Sequence, residues 1–82
     1  MLRIVAESVI SPAEVMERAR EFFGPRGLGL EERVEGPLCL VFSGGGGFVR
    51  VSASSVDGGR TRVDMETREW ELKARDFART LS

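Results

Sequence analysis

The stretch Phe42-Ser43-Gly44-Gly45-Gly46-Gly47-Phe48 sets four consecutive glycines between two apolar runs. It either cradles a phosphate or turns the chain, and side-chain parity decides between the two. Before the glycines, Leu38, Leu40 and Phe42 fall at even positions; after them, Val49, Val51 and Ala53 fall at odd positions. Each set alternates as a strand with one buried face does. Residues directly opposite in an antiparallel pair share a face, so an even residue must pair with an odd one. Pairing Phe42 with Val49 achieves this, sets Gly44 opposite Gly47 and leaves Gly45-Gly46 as a two-residue turn. Such turns need positive φ, which glycine adopts without steric cost. A Walker loop, by contrast, ends in Gly-Lys-Ser/Thr and opens a helix, whereas Phe48-Val49-Arg50-Val51 opens a strand. The dinucleotide fingerprint fails too, because Val49 stands where its third glycine belongs. The stretch predicts a β-hairpin.

Working outward, turn residues at Gly36-Pro37 and Asp57-Gly58-Gly59 separate further strand candidates. The four predicted strands after the first helix are Leu28 to Glu35, Leu38 to Phe42, Phe48 to Ser54 and Arg60 to Glu66. In the second hairpin Val63 and Met65 join Val51 and Val49 on the inner face, with Val56-Asp57-Gly58 as the expected loop. That register places Arg50 opposite Asp64 and Ser52 opposite Arg62.

At the N-terminus, Leu2, Ile4, Ala6 and Ile10 alternate as a strand over Leu2 to Ile10. Ser11-Pro12-Ala13-Glu14 then reads as a capping box with proline at the first helical position. Val15, Ala19, Phe22 and Phe23 share one helical face, with Met16 at its margin, and Gly24-Pro25 ends the helix. Glu14 and Arg18 stand four apart on the solvent side. A closing helix carries Trp70, Ala74, Phe77, Ala78 and Leu81 on one face, with Thr67 as its expected cap. Leu72 lies off that face, which argues that the fifth strand runs past Glu66. The expectation is a single α+β domain over 1–82, in the order β-α-β-β-β-β-α. Its one antiparallel sheet has the order 2-3-4-5-1, with both helices on the face bearing Ile4, Leu40, Val51 and Val63.

Composition narrows the chemistry. With Cys39 as the only cysteine and no histidine, neither an intramolecular disulfide nor a zinc site is available. The acids show no calcium-loop spacing. A net charge of −1 argues against general affinity for nucleic acid. No apolar run approaches the roughly 20 residues that span a bilayer. Met1-Leu2-Arg3-Ile4-Val5 moves straight into a strand pattern, without a signal peptide's apolar core. The expectation is a cytoplasmic protein with no membrane partner and no cofactor.

Individual residues leave two readings each. Arg33, Arg50, Arg60 and Arg62 share the outer face with Glu31, Glu35, Asp64 and Glu66, so a solvated, charge-compensated face is preferred over an anion platform. Glu32, between Leu30 and Val34, points inward on an expected edge strand. It is either a buried acid fit to bind a polar group or a charge that discourages edge pairing, and the second is preferred. Cys39 has no histidine to activate it, so a packed thiol is preferred over a nucleophile. Trp70 reads as core, with a ligand-lining indole as the minority reading.

The first strand running into Ser11-Pro12-Ala13-Glu14-Val15 resembles the strand and Pro-x-Glu-Val helix start of the START and polyketide-cyclase-like helix-grip superfamily. Asp57-Gly58-Gly59-Arg60-Thr61-Arg62-Val63 resembles its late Gly-Gly-x-Thr-x-Val strand, and the element order resembles the TATA-box-binding-protein-like fold that contains it. Full helix-grip proteins add strands and a second short helix to enclose a hydrophobic cavity; this chain is shorter. The resemblance assigns no catalytic residue.

Three functional expectations follow. The leading one is a non-catalytic binding or assembly module, since no nucleophile–base pair, metal set or cofactor loop is visible. The second is a hydrophobic small-molecule carrier, using a groove near Trp70, Phe77, Phe22 and Glu32. Nucleic-acid binding through the outer sheet face is the third, disfavoured by charge. A homodimer is expected, because Val5, Val9, Cys39, Val41 and Phe48 make the outer face unusually apolar and the second strand offers an open edge.

Overall fold

The glycine run folds as its parity requires. Phe42 pairs with Val49 and Gly44 with Gly47, while Gly45 and Gly46 turn at φ of 60° and 80°. A computed structural model describes residues 1–81 of the chain. Its elements are β1 (Leu2–Ser8), α1 (Pro12–Phe23), β2 (Glu31–Gly36), β3 (Cys39–Gly44), β4 (Gly47–Val56), β5 (Arg60–Arg68) and α2 (Glu71–Arg79). The strands form one antiparallel sheet in the order β1-β5-β4-β3-β2, and both helices pack on the same face. That is the expected architecture.

The second hairpin closes two residues away from the expected register. Arg50 faces Glu66 and Ser52 faces Asp64, so Asp57-Gly58-Gly59 forms the loop. Both glycines take left-handed φ, 78° and 72°, which lets Val56 stay on the strand opposite Arg60. A two-residue slip keeps every side chain on its face, so parity alone does not separate the two registers.

Local chemistry sets the other boundaries. Ser11 accepts from the Glu14 N–H at 3.1 Å and caps α1. The reciprocal half of the box is not made, because the Glu14 carboxylate accepts from Arg18 at 3.4 Å. After α1 the chain does not enter a strand at Leu28. Instead the amides of Leu28 and Leu30 bond back to the carbonyls of Phe22 and Phe23, satisfying the helix end, and β2 starts only at Glu31. Thr67 is not a helix cap: it is fully buried in β5 and donates to the Phe48 carbonyl at 2.8 Å. β5 runs to Arg68, and Leu72 is solvent-exposed on α2.

The core lies between sheet and helices. Val15, Ala19 and Phe23 of α1 meet Leu40, Phe42, Val51, Val63 and Met65 of the sheet, with Ala74, Phe77 and Leu81 closing from the second helix. Phe23 is its centre, with ring centroids 5.4 Å from Phe42 and 5.2 Å from Phe77. A buried phenylalanine of this kind contributes about 2–3 kcal/mol by area removed from water.

Candidate binding surfaces

Of the residues expected to line a ligand groove, Phe22 and Phe77 meet, while Trp70 and Glu32 lie apart from them with other partners. Phe77 is buried in the helix–sheet interior, and Phe22, only partly buried, packs its ring on it at 5.4 Å. Trp70 stands instead at the tip of the β3–β4 hairpin, where its indole N–H donates to the Gly44 carbonyl at 2.9 Å. The ring covers Gly45 so closely that a Cβ there would lie 3.0 Å from it. At Gly47 a Cβ would collide with the Arg68 carbonyl and the Glu69 side chain. The glycines at this tip therefore serve close packing as well as turn geometry. Glu32 lies half-buried on the far side of the sheet's inner face and accepts from Arg20 at 3.1 Å.

Arg20 also donates to Glu17 at 2.6 Å. The Glu32 bond first, then Glu17, holds its guanidinium above the ordinary arginine pKa. These side chains, with Glu21, Pro25 and Arg26, line an open cleft of about 310 Å³ at the end of α1. A separate groove of about 320 Å³ runs between β1 and α2, lined by Ile4, Arg75, Ala78 and Arg79.

On the outer face the arginines and acids interlock. Glu35 accepts from Arg33 at 2.7 Å and from Arg50 at 3.0 Å, and Arg50 reaches on to Glu66 at 3.4 Å. Arg50 first, then Arg33, holds the Glu35 carboxyl below its usual range. Asp64 accepts from Arg3 at 3.1 Å and from Arg62 at 3.0 Å. Burial pushes the Asp64 carboxyl up, but the two guanidiniums outweigh it, and the net direction is down. Cys39 lies against this network with its thiol pushed up by burial, which keeps it protonated.

The apolar residues expected on this face divide accordingly. Val41 sits between Arg33 and Arg50 on the neighbouring strands and is only 6% exposed. Cys39 and Phe48 are half-buried. Val5 and Val9 stay open, at 53% and 76% exposure. Of these five outer-face residues, the open ones therefore lie on β1 and the turn after it, while Val34 on β2 stays exposed on the other face of the sheet.

β1 and β2 are the two rims of the sheet. β1 pairs with β5 in unbroken register from Leu2 opposite Thr67 to Ser8 opposite Thr61. It contains neither glycine nor proline. β2 is shorter, and its register with β3 slips between Val34 and Gly36, the mark of a bulge. The sequence indicated an open edge at the second strand. β1 is the longer of the two and the one whose register is unbroken.

No protein-family model matches the sequence, and no curated protein matches it either. No helix among the described residues is long and apolar enough to cross a membrane.

Proposed function

We propose that the protein is a non-catalytic binding and assembly module that acts through the rim of its sheet. The observation that carries this reading is β1: a regular edge strand with Val5 half-exposed at its centre and Val9 open beside it. An unpaired row of strand amides and carbonyls is a template for a further strand, and proteins that need no partner there usually blunt it. β2 is blunted by its bulge; β1 is not. The interior supports the same reading, because Phe22, Phe23, Phe42 and Phe77 fill the space between helices and sheet.

The groove between β1 and α2 favours a second reading. Its floor is Ile4 and Ala78, and Arg75 and Arg79 flank it. An apolar floor beside cations suits a small amphipathic ligand of the lipid type, in keeping with the helix-grip resemblance. Native mass spectrometry of the purified protein separates the two. The module reading expects a protein complex above the 9.0 kDa chain mass and no retained small molecule. A chain-mass species carrying a lipid-like adduct overturns it in favour of the carrier.

A further inference from the structure

We propose that the strand added to β1 is β1 of a second copy of this chain, antiparallel, with the two-fold axis at Val5. The proposal rests on the assembly reading above and names its partner. A strand paired with its own copy is centred on one residue, and every register sets different neighbours face to face. Centred on Ile4, Arg3 faces the partner's Val5. Centred on Ala6, Val5 faces the partner's Glu7. Both oppose a charge to a valine. Centred on Val5, the two valines meet, Arg3 faces the partner's Glu7, and Ile4 faces the partner's Ala6. This register also pairs the strand along its whole length, since Leu2 then faces the partner's Ser8.

Charge favours the same centre. Within one protomer Arg3 donates to Asp64 at 3.1 Å and Arg60 donates to Glu7 at 3.3 Å. Across the Val5 axis these pairs join into a line of alternating sign: Asp64, Arg3, the partner's Glu7, the partner's Arg60. The axis generates the line twice. Opposite charges facing each other across strands stabilise a pair, and like charges destabilise it. The exposed Val5 pair sits between the two lines.

The helix layer accommodates the junction. α2 packs over both β1 and β5. Across the axis the two α2 helices therefore become neighbours on the same face of the joined sheet. The groove floored by Ile4 and Ala78 is then covered, and Arg79 already carries Asp76 as its counter-ion at 2.7 Å. At the other rim, centring β2 on Val34 also pairs Arg33 with the partner's Glu35. There the bulge between Val34 and Gly36 interrupts the ladder at the axis.

The test uses complementary variants. Arg3→Glu sets two carboxylates against each other on each side of the axis, and Glu7→Arg sets two guanidiniums. Each variant alone should dissociate more than tenfold more readily than the wild type by light scattering. Their equimolar mixture should recover a dimer holding one of each, resolved by native mass spectrometry. Recovery requires both chains to be folded, so a misfolded variant does not imitate it. In a Cys39→Ser background, Val5→Cys should form a disulfide-linked dimer under mild oxidation. Self-opposed positions in an antiparallel pair lie about 4.5–5.5 Å apart, within disulfide reach. Cross-linking through Val34→Cys but not Val5→Cys would overturn the β1 axis while leaving the assembly reading intact. So would a wild-type dimer whose charge variants neither weaken nor complement. A wild type that stays monomeric at every concentration overturns both.

Discussion

β1 and β2 lie at opposite rims of one sheet, each backed by a single hydrogen-bonded neighbour, yet they meet solvent differently. β2 carries Glu31, Arg33, Val34 and Glu35 exposed and is bent by a bulge. Its inner side is tied down by Arg20 on Glu32. β1 has charges too, but they flank a central valine symmetrically on a strand that stays in register throughout. On the proposed reading, the bulge closes the β2 edge, and the charges of β1 select the partner that its unbulged edge accepts.

The largest expected effect sharpens that contrast directly. Val5→Lys places two ammonium groups on the proposed axis and should reduce the species to the chain mass in size-exclusion light scattering. Val34→Lys and Phe48→Glu, at the bulged rim and on the outer face, should leave the mass of the wild type. Association lost equally in all three would mean that the two rims are equivalent and that the contrast is wrong.

Next in size is the anchoring of β2. Leu30, only 4% exposed, enters the core just before that strand and touches Gly44. Leu30→Ala should cost about 2–4 kcal/mol in urea unfolding. A loss below 1 kcal/mol would show that β2 does not depend on this anchor. At the other rim, the buried Ser8 hydroxyl donates to the Leu81 carbonyl and accepts from the Ile10 amide, tying β1 to the end of the chain. Ser8→Ala should cost about 1–2 kcal/mol, because it leaves a buried carbonyl without its donor. A cost in the Leu30 range would mean that β1 is held mainly by this one contact.

The smallest effect is electrostatic. Asp64 beside β1 and Glu35 in β2 both have carboxyl groups held low by arginines. A carboxyl lowered on folding stabilises the fold above its unfolded pKa, and that contribution disappears as pH falls through the folded value. The stability of the wild type should therefore decline below about pH 4. The double variant Glu35→Gln/Asp64→Asn should show a shallower decline by urea unfolding at a series of pH values. An unchanged slope would place the acid sensitivity elsewhere.

Much of this was legible in the sequence, for identifiable reasons. Parity together with the two-residue Gly45-Gly46 turn reaches the right hairpin at Phe42 and Val49, because the glycines fix which of the parity-allowed pairings closes. The same logic missed the β4–β5 register by two residues, since that slip exchanges no faces. Ser11 was readable as a cap because its partner is three residues away. Thr67 is ambiguous in sequence because threonine suits a cap and a strand alike, and the tertiary bond to the Phe48 carbonyl decides for the strand. The inward direction of Glu32 was readable, but its partner Arg20 was not, being on another element. Trp70 reaches Gly44 across 26 residues, and no local pattern announces such a clamp. Val41 reads as exposed apolar surface from its outer-face parity, but it is only 6% exposed between Arg33 and Arg50. A hydropathy reading counts such long side chains on neighbouring strands as polar, although their stems are apolar. Once Val41 is discounted, the fully open apolar residues of the outer face are Val5 on the β1 rim and Val9 just after it.

Sedimentation equilibrium of the wild-type protein across a range of micromolar concentrations tests assembly through that rim most directly. The account predicts a reversible shift from the 9.0 kDa chain toward twice that mass as concentration rises, abolished by Val5→Lys. A single 9.0 kDa species throughout would contradict it.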